Sequence, residues 1–207
     1  LKLIGAYRAL DGGVTAPVLT LPEAEGAFLR AGYGAATAIL EYGSGGSTAM
    51  AAAMPGKVVW SVESDRAWHD GLRGWFEANP AAAELHLLHA DIGPTGKWGY
   101  PKDDDAHWDR FHRYPHGVWD AEGFAAPDTV LIDGRFRAGC FLAVAYRTTR
   151  PVTVYFDDYV DRPVYHVVER FGPPREIVGR MARFELEPQV PKGADLTWIM
   201  DVTAQRK

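Results

Sequence analysis

The chain is predicted to be an α/β protein with a mostly parallel sheet and helices on both faces. Three observations predict it. Short apolar runs of strand length alternate with helix-forming stretches from residue 36 to about 160. A glycine turn, Gly43-Ser44-Gly45-Gly46-Ser47-Thr48, separates the first run from the first strong helix former. The runs end in glycine or acid: Gly43, Glu63, Asp91, Asp133 and Asp157-Asp158. Crossovers between parallel strands are right-handed, and ligands bind outside the carboxyl ends of such strands. The polar residues therefore gather on the edge where a site belongs.

Residues 1–20 read as an irregular lead with a turn at Asp11-Gly12-Gly13. Thr20 can cap a helix, Pro22 suits its first turn, and Glu23 favours the positive end of its dipole. Ala24, Ala27, Phe28 and Ala31 recur at helical spacing, and Gly32 can end the helix. Ala38–Tyr42 is the first strand, and residues 49–54 form a helix stopped by Pro55-Gly56. Residues 57–63 are the second strand. Asp65 can cap a helix carrying Trp68, Leu72, Trp75 and Phe76, and Trp60, Trp68 and Trp75 read as core. Residues 85–90 form the third strand, Thr129–Ile132 the fourth and Val152–Phe156 the fifth, with helices at 138–148 and 164–171. Residues 177–186 and 196–202 read as two further strands joined by a turn around Pro191-Lys192-Gly193.

Residues 93–127 break the rhythm. They hold Trp98, Trp108 and Trp119, and also His107, His112, His116 and an acidic run, Asp103-Asp104-Asp105. An insert this long in a compact domain tends to be functional or disordered, and the aromatics argue for a lid with at most short helices. Trp98, Tyr100, Trp108, Tyr114 and Trp119 either line a pocket or pack the insert down, and packing is the simpler reading for each.

With 207 residues, 47% of them hydrophobic and 24% charged, the chain can bury a full core as one domain over 1–207. A net charge of −5 argues against a protein that coats phosphate backbones, so a small-molecule partner is expected before nucleic acid. No apolar stretch is long enough to span a membrane. Residues 1–7 are too short for a signal-peptide core, so a cytoplasmic protein is expected. Cys140 is the single cysteine. That rules out a disulfide framework and a cysteine-built zinc site, and Cys140 reads as a small buried hydrophobe.

Gly43 and Gly45 permit tight turning and close approach of a ligand to the backbone. Glu63 follows Gly43 by 20 residues, at the end of the next strand, where a carboxylate can accept hydrogen bonds from ribose hydroxyls. The order Glu41-Tyr42-Gly43-Ser44-Gly45-Gly46-Ser47, then Glu63, Asp91 and Asp133, resembles the class I S-adenosylmethionine-dependent methyltransferases. That resemblance implies a Rossmann-like, seven-stranded sheet whose last strand is antiparallel, and the final two strands fit its closing hairpin. It implies S-adenosylmethionine as cofactor and methyl transfer to a small-molecule acceptor, at oxygen. Glu41 matches the acid that opens the first motif. Gly43, Ser44 and Gly45 match the loop under the methionine part, Glu63 the ribose acid, and Asp91 with Ile92 the pair beside the adenine. Ser47 stands where the family often has a third glycine. A nicotinamide-dependent oxidoreductase shares the topology, but its fingerprint wants glycine where this chain has Thr48.

Asp133, Asp157 and Asp158 end adjacent predicted strands. Three converging carboxylates repel one another unless a cation or protons intervene, and Mg²⁺ suits oxygen ligands. The trio resembles the metal site of the catechol- and caffeoyl-type O-methyltransferases, and Asp133 is the catalytic candidate. Those enzymes carry a lysine just after the first Asp. Here the run is Gly134-Arg135-Phe136-Arg137, and arginine stays protonated. A methyltransferase-like fold that binds cofactor without transfer therefore stays open. Arg135 and Arg137 could grip an anionic substrate or, with Arg162, pair with the acids. Pro115 interrupts any helix that would align His112 with His116, so the three histidines read as loop residues or substrate contacts.

Overall fold

Five apolar runs pair side by side in parallel because the strands at the middle of the sheet are buried on both faces. They are β1 (Ala38–Tyr42), β2 (Val58–Glu63), β3 (Glu84–His89), β4 (Thr129–Ile132) and β5 (Val152–Phe156). β6 (Glu176–Val178) and β7 (Met181–Leu186) complete a seven-stranded sheet of order β3-β2-β1-β4-β5-β7-β6. β7 runs antiparallel to both β5 and β6. This computed structural model describes residues 16–102 and 106–206. Residues 1–7, the Asp11-Gly12-Gly13 turn and the acidic run at 103–105 lie outside the described residues.

The helices are α1 (Glu23–Ala35), α2 (Gly46–Ala52), α3 (Arg66–Ala78), α4 (Arg113–His116), α5 (Arg137–Arg147) and α6 (Leu196–Thr203). Alternation along β1 and β4 divides the core in two. Leu40, Tyr42, Val130 and Ile132 face α5 and the insert, while Ile39 and Leu131 face the layer of Leu29, Tyr33 and Met50. β1 pairs with β2 on one side and β4 on the other, so the strand order reverses there, and sheets of this kind take ligands in the crevice outside the carboxyl ends of such strands. No helix among the described residues is long and apolar enough to cross a membrane.

Four expectations need correction. Gly32 does not end α1, which runs on to Ala35. A Cβ at Gly32 would overlap the Tyr155 hydroxyl, so its small size lets the helix lie on β5. Residues 177–186 are not one strand. Gly179 (φ +55) and Arg180 turn the chain back, making β6 and β7 from that single run. Residues 196–202 form most of α6, not a strand. Trp198, Ile199 and Val202 fall at helical spacing against the α5 side of the core, and Gly139 of α5 leaves room for the Thr203 backbone. Of the three tryptophans read as core, only Trp60 is buried, while Trp68 and Trp75 are half-buried.

Among the described residues the insert carries only short helices, as its composition predicts, and it divides into two parts. Phe111, Tyr114 and Val118 sink into the core. There the Tyr42 hydroxyl donates to Pro115 O (2.6 Å) and accepts from Trp119 Nε1 (2.8 Å). The segment from Pro94 to Lys102 folds on itself through Gly96 N–H to Tyr100 O (2.7 Å) and Lys102 N–H to Pro94 O (2.8 Å).

Candidate active site

The turn after β1 is built by contacts that only glycine allows. Gly43 has φ +104, and a Cβ there would lie 2.8 Å from Gly134 N. Gly134 in turn leaves room for the Tyr114 hydroxyl. The ends of β1 and β4 thus touch backbone to backbone. Glu41 is fully buried and accepts from Tyr33 Oη (2.7 Å), Thr48 Oγ1 (2.5 Å) and Ser61 Oγ (3.2 Å). Burial pushes its pKa up, against the lowering by these hydroxyls. Thr48 Oγ1 also accepts from Gly45 N–H (2.8 Å), so Glu41 holds the loop through Thr48. Trp68 Nε1 donates to Ser44 O (2.7 Å), pinning the loop from α3. Gly46 leaves room for the backbone of Val18 and Leu19, which cross the start of α2. A Cβ at Gly45 would meet nothing nearer than Trp68 at 4.0 Å, so the loop is open there.

Glu63 ends β2 and is 7% exposed. Its Oε1 accepts from Ser64 N (2.7 Å) and Asp65 N (2.8 Å), and its Oε2 takes one long bond from Ser44 N (3.3 Å). Burial pushes its pKa up while the backbone donors oppose. Oε2 therefore keeps accepting capacity beside the glycine turn, which fits a ribose diol. One strand over, Asp91 is exposed. It accepts from Gly93 N (3.0 Å) and pairs with Arg110 (3.1 Å), and the Gly93 N–H is the main reason its carboxyl lies below the usual range. Ile92 beside it is fully buried.

Asp133, Asp157 and Asp158 converge as predicted, with ligand-type oxygens within 4.8 Å of one another. Their charge is already met. Arg180 grips Asp157 with two bonds (3.0 and 2.8 Å) and reaches Asp158 (3.1 Å). Arg162 pairs with Asp158 (2.8 Å), and Arg137 with Asp133 (3.1 Å) and Asp158 (3.2 Å). Arg137 also donates to the carbonyls of Gly134, Asp157 and Asp133. Three guanidiniums balance three carboxylates, so this donor set does not fit a hard cation: Mg²⁺ would have to displace the buried Arg137 and the half-buried Arg162 and Arg180. Of the two readings of these acids, the pairing with Arg137 and Arg162 is the one the side chains adopt, and Arg180 joins it. Burial, with repulsion from Asp157 and Asp158 and opposition from Arg137, pushes Asp133 up to about 7. A third of that side chain still meets solvent, which tempers its desolvation.

Arg180 was missing from the candidates because it lies inside a run read as strand. Its place comes from the hairpin turn and from Glu25, which accepts Arg180 N–H (3.1 Å). The turn signal Gly179-Arg180 could have found it. Trp68 reads as core from its helical spacing, and nothing in the sequence signals its indole donor. Arg135 makes no ion pair among the described residues. Its guanidinium stacks on the Tyr100 ring of the insert (4.1 Å), and Ser64 Oγ donates to Gly99 O (3.2 Å), so the segment 94–102 lies over the ends of β2 and β4. The histidines stay apart from the acids. The ring of His107 lies beneath Gly93, His112 is exposed, and burial pushes the half-buried His116 down. Cys140 is buried, and its thiol donates to Arg135 O (3.3 Å).

No protein-family model matches the chain, and no curated protein matches it. Among solved structures, a methyltransferase from Geobacter sulfurreducens is 12% identical over 83% of this chain and 82% of its own, with a TM-score of 0.53. The O-methyltransferase TomG from Streptomyces achromogenes, solved with S-adenosylmethionine, is 18% identical over 80% of each chain, with a TM-score of 0.53. At such identities the likeness is one of fold. A methyltransferase-like protein from Silicibacter pomeroyi DSS-3 is 50% identical over 92% of this chain and 98% of its own, with a TM-score of 0.87. Identity of that extent is kinship, and the chain belongs to the methyltransferase-like proteins of the class I, Rossmann-like S-adenosylmethionine-dependent methyltransferase fold.

Proposed function

We propose that the protein transfers the methyl group of S-adenosylmethionine to a small-molecule acceptor at oxygen, with Asp133 receiving the hydroxyl proton. The observation that carries this reading is Glu63, whose Oε2 stands beside the turn after β1 with spare accepting capacity (Ser44 N at 3.3 Å). Glu63 would hold the ribose, Gly43 to Gly45 would lie under the methionine part, and Asp91 and Ile92 would flank the adenine. S-adenosylmethionine, when bound, supplies a methyl group on a positively charged sulfur. Glu41 acts one layer back, fixing the loop through Thr48. Thr48 in that linking role also disfavours the nicotinamide reading.

Asp133 has a carboxyl near 7, so at neutral pH it is partly ionised and able to take a proton. Arg137, at the start of α5, orients it (3.1 Å). The segment 94–102 would exclude water and help align the acceptor.

Isothermal titration with S-adenosylhomocysteine, with NADH in parallel, tests the reading. We expect micromolar binding of the first and none of the second. Glu63→Gln should weaken binding by about tenfold, the loss of a charge-assisted bond. Absence of S-adenosylhomocysteine binding to the wild-type protein overturns the proposal.

A further inference from the structure

Arg135 is the anomaly of the crevice. It is 8% exposed, yet no carboxylate lies within ion-pair distance of it among the described residues. Its Nε is buried without a hydrogen-bond partner. A buried cation without an acid is costly, and an orphaned buried donor demands a reason. The neighbouring arginines show the contrast: Arg137, Arg162 and Arg180 are all committed to Asp133, Asp157 and Asp158. The Tyr100 ring faces the Arg135 guanidinium, at 4.1 Å from ring centroid to guanidinium carbon. A cation held flat on a ring keeps its edge donors free for a ligand. Arg135 follows Asp133 by two residues at the carboxyl end of β4, the strand edge on which the proton-accepting group stands.

We infer that Arg135 binds a carboxylate of the methyl acceptor, which makes the acceptor a small hydroxy acid. This rests on reading the crevice as a methyl-transfer site. A single guanidinium matches one carboxylate in charge and in fork geometry. A phosphate dianion would leave surplus negative charge near Glu63 and Asp133. Asp133 and Arg135 then divide the acceptor between them, hydroxyl to the first and carboxylate to the second.

The test is an NMR titration of the wild-type protein with acetate at constant ionic strength, following the arginine Nε–Hε signals assigned through the backbone. The Arg135 signal should shift in a saturable manner while those of Arg137 and Arg180 stay still. Arg135→Gln should abolish the response and keep S-adenosylhomocysteine affinity within about twofold. Three results overturn the inference. One is no saturable shift at Arg135, and another is an equal drift of all arginine signals. The third is a tenfold loss of S-adenosylhomocysteine affinity in Arg135→Gln with unchanged affinity for 5′-methylthioadenosine, which would assign Arg135 to the carboxylate of the cofactor. If the wild type fails to bind S-adenosylhomocysteine, the methyl-transfer reading falls while the acetate response still reports on Arg135.

Discussion

The two halves of the crevice hold their carboxylates by opposite means. On the β1–β2 side, Glu41 and Glu63 are buried among neutral donors, hydroxyls for the first and backbone N–H groups for the second. On the β4–β5–β7 side, the buried Asp157 and the partly exposed Asp133 and Asp158 pair with three guanidiniums. Neutral donors leave the carboxylate free to accept a further hydroxyl, which suits a sugar. Guanidiniums cancel the charge and lock the geometry, which suits a rigid wall. The same residue type at equivalent strand ends therefore does different work, and its partners decide which.

The largest effect should come from removing a guanidinium. Arg180→Ala leaves Asp157 as an uncompensated buried charge and should cost about 3 kcal/mol in chemical denaturation. Adding Asp157→Asn should recover more than half of that loss. A cost near zero for Arg180→Ala would break the comparison, because the acids would not depend on their arginines.

Next in size is Gly43→Ala. The new Cβ meets the Gly134 backbone, which cannot yield, at a φ that suits glycine. A loss of about 2 kcal/mol is expected, with weakened S-adenosylhomocysteine binding. Full stability in that variant would mean the two halves do not touch at this point.

A subtler effect separates the halves by pH. Burial raises Asp133 above its unfolded value, so the folded state binds more protons than the unfolded state between about 4 and 7. Its contribution to stability therefore falls as pH rises through that window. Melting curves of wild type and Asp133→Asn should differ most at the upper end, the wild type losing stability with rising pH that the variant keeps. Parallel curves would show that Asp133 titrates normally. The smallest effect is expected from metal. Adding Mg²⁺ or EDTA should leave S-adenosylhomocysteine affinity unchanged to within about twofold. A clear Mg²⁺ dependence would show the arginines giving way to a cation.

Where apolar runs are buried on both faces and bounded by turn residues, the chain was legible residue by residue. β1, β4 and β5 have the predicted bounds. Residues 196–202 were misread because a short apolar segment satisfies both a period of 2 and a period of 3.6. Its neighbours, Phe171 and the α5 face, selected the helix. The strand-end acids were visible as candidates, while the difference between a metal site and an ion-pair cluster was not. Arg180 comes to the acids only because β7 folds back antiparallel beside β5.

By itself the sequence determined the alternating fold, the glycine turn after β1 and the line of polar residues at the strand ends. Those features depend on local periodicity and on backbone conformations open to glycine. Only the tertiary structure decided which carboxylates meet hydroxyls, which meet guanidiniums, and that Arg135 meets no carboxylate among the described residues. Such pairings join groups far apart in the chain, and burial makes each one decisive because an unmatched charge away from water is costly.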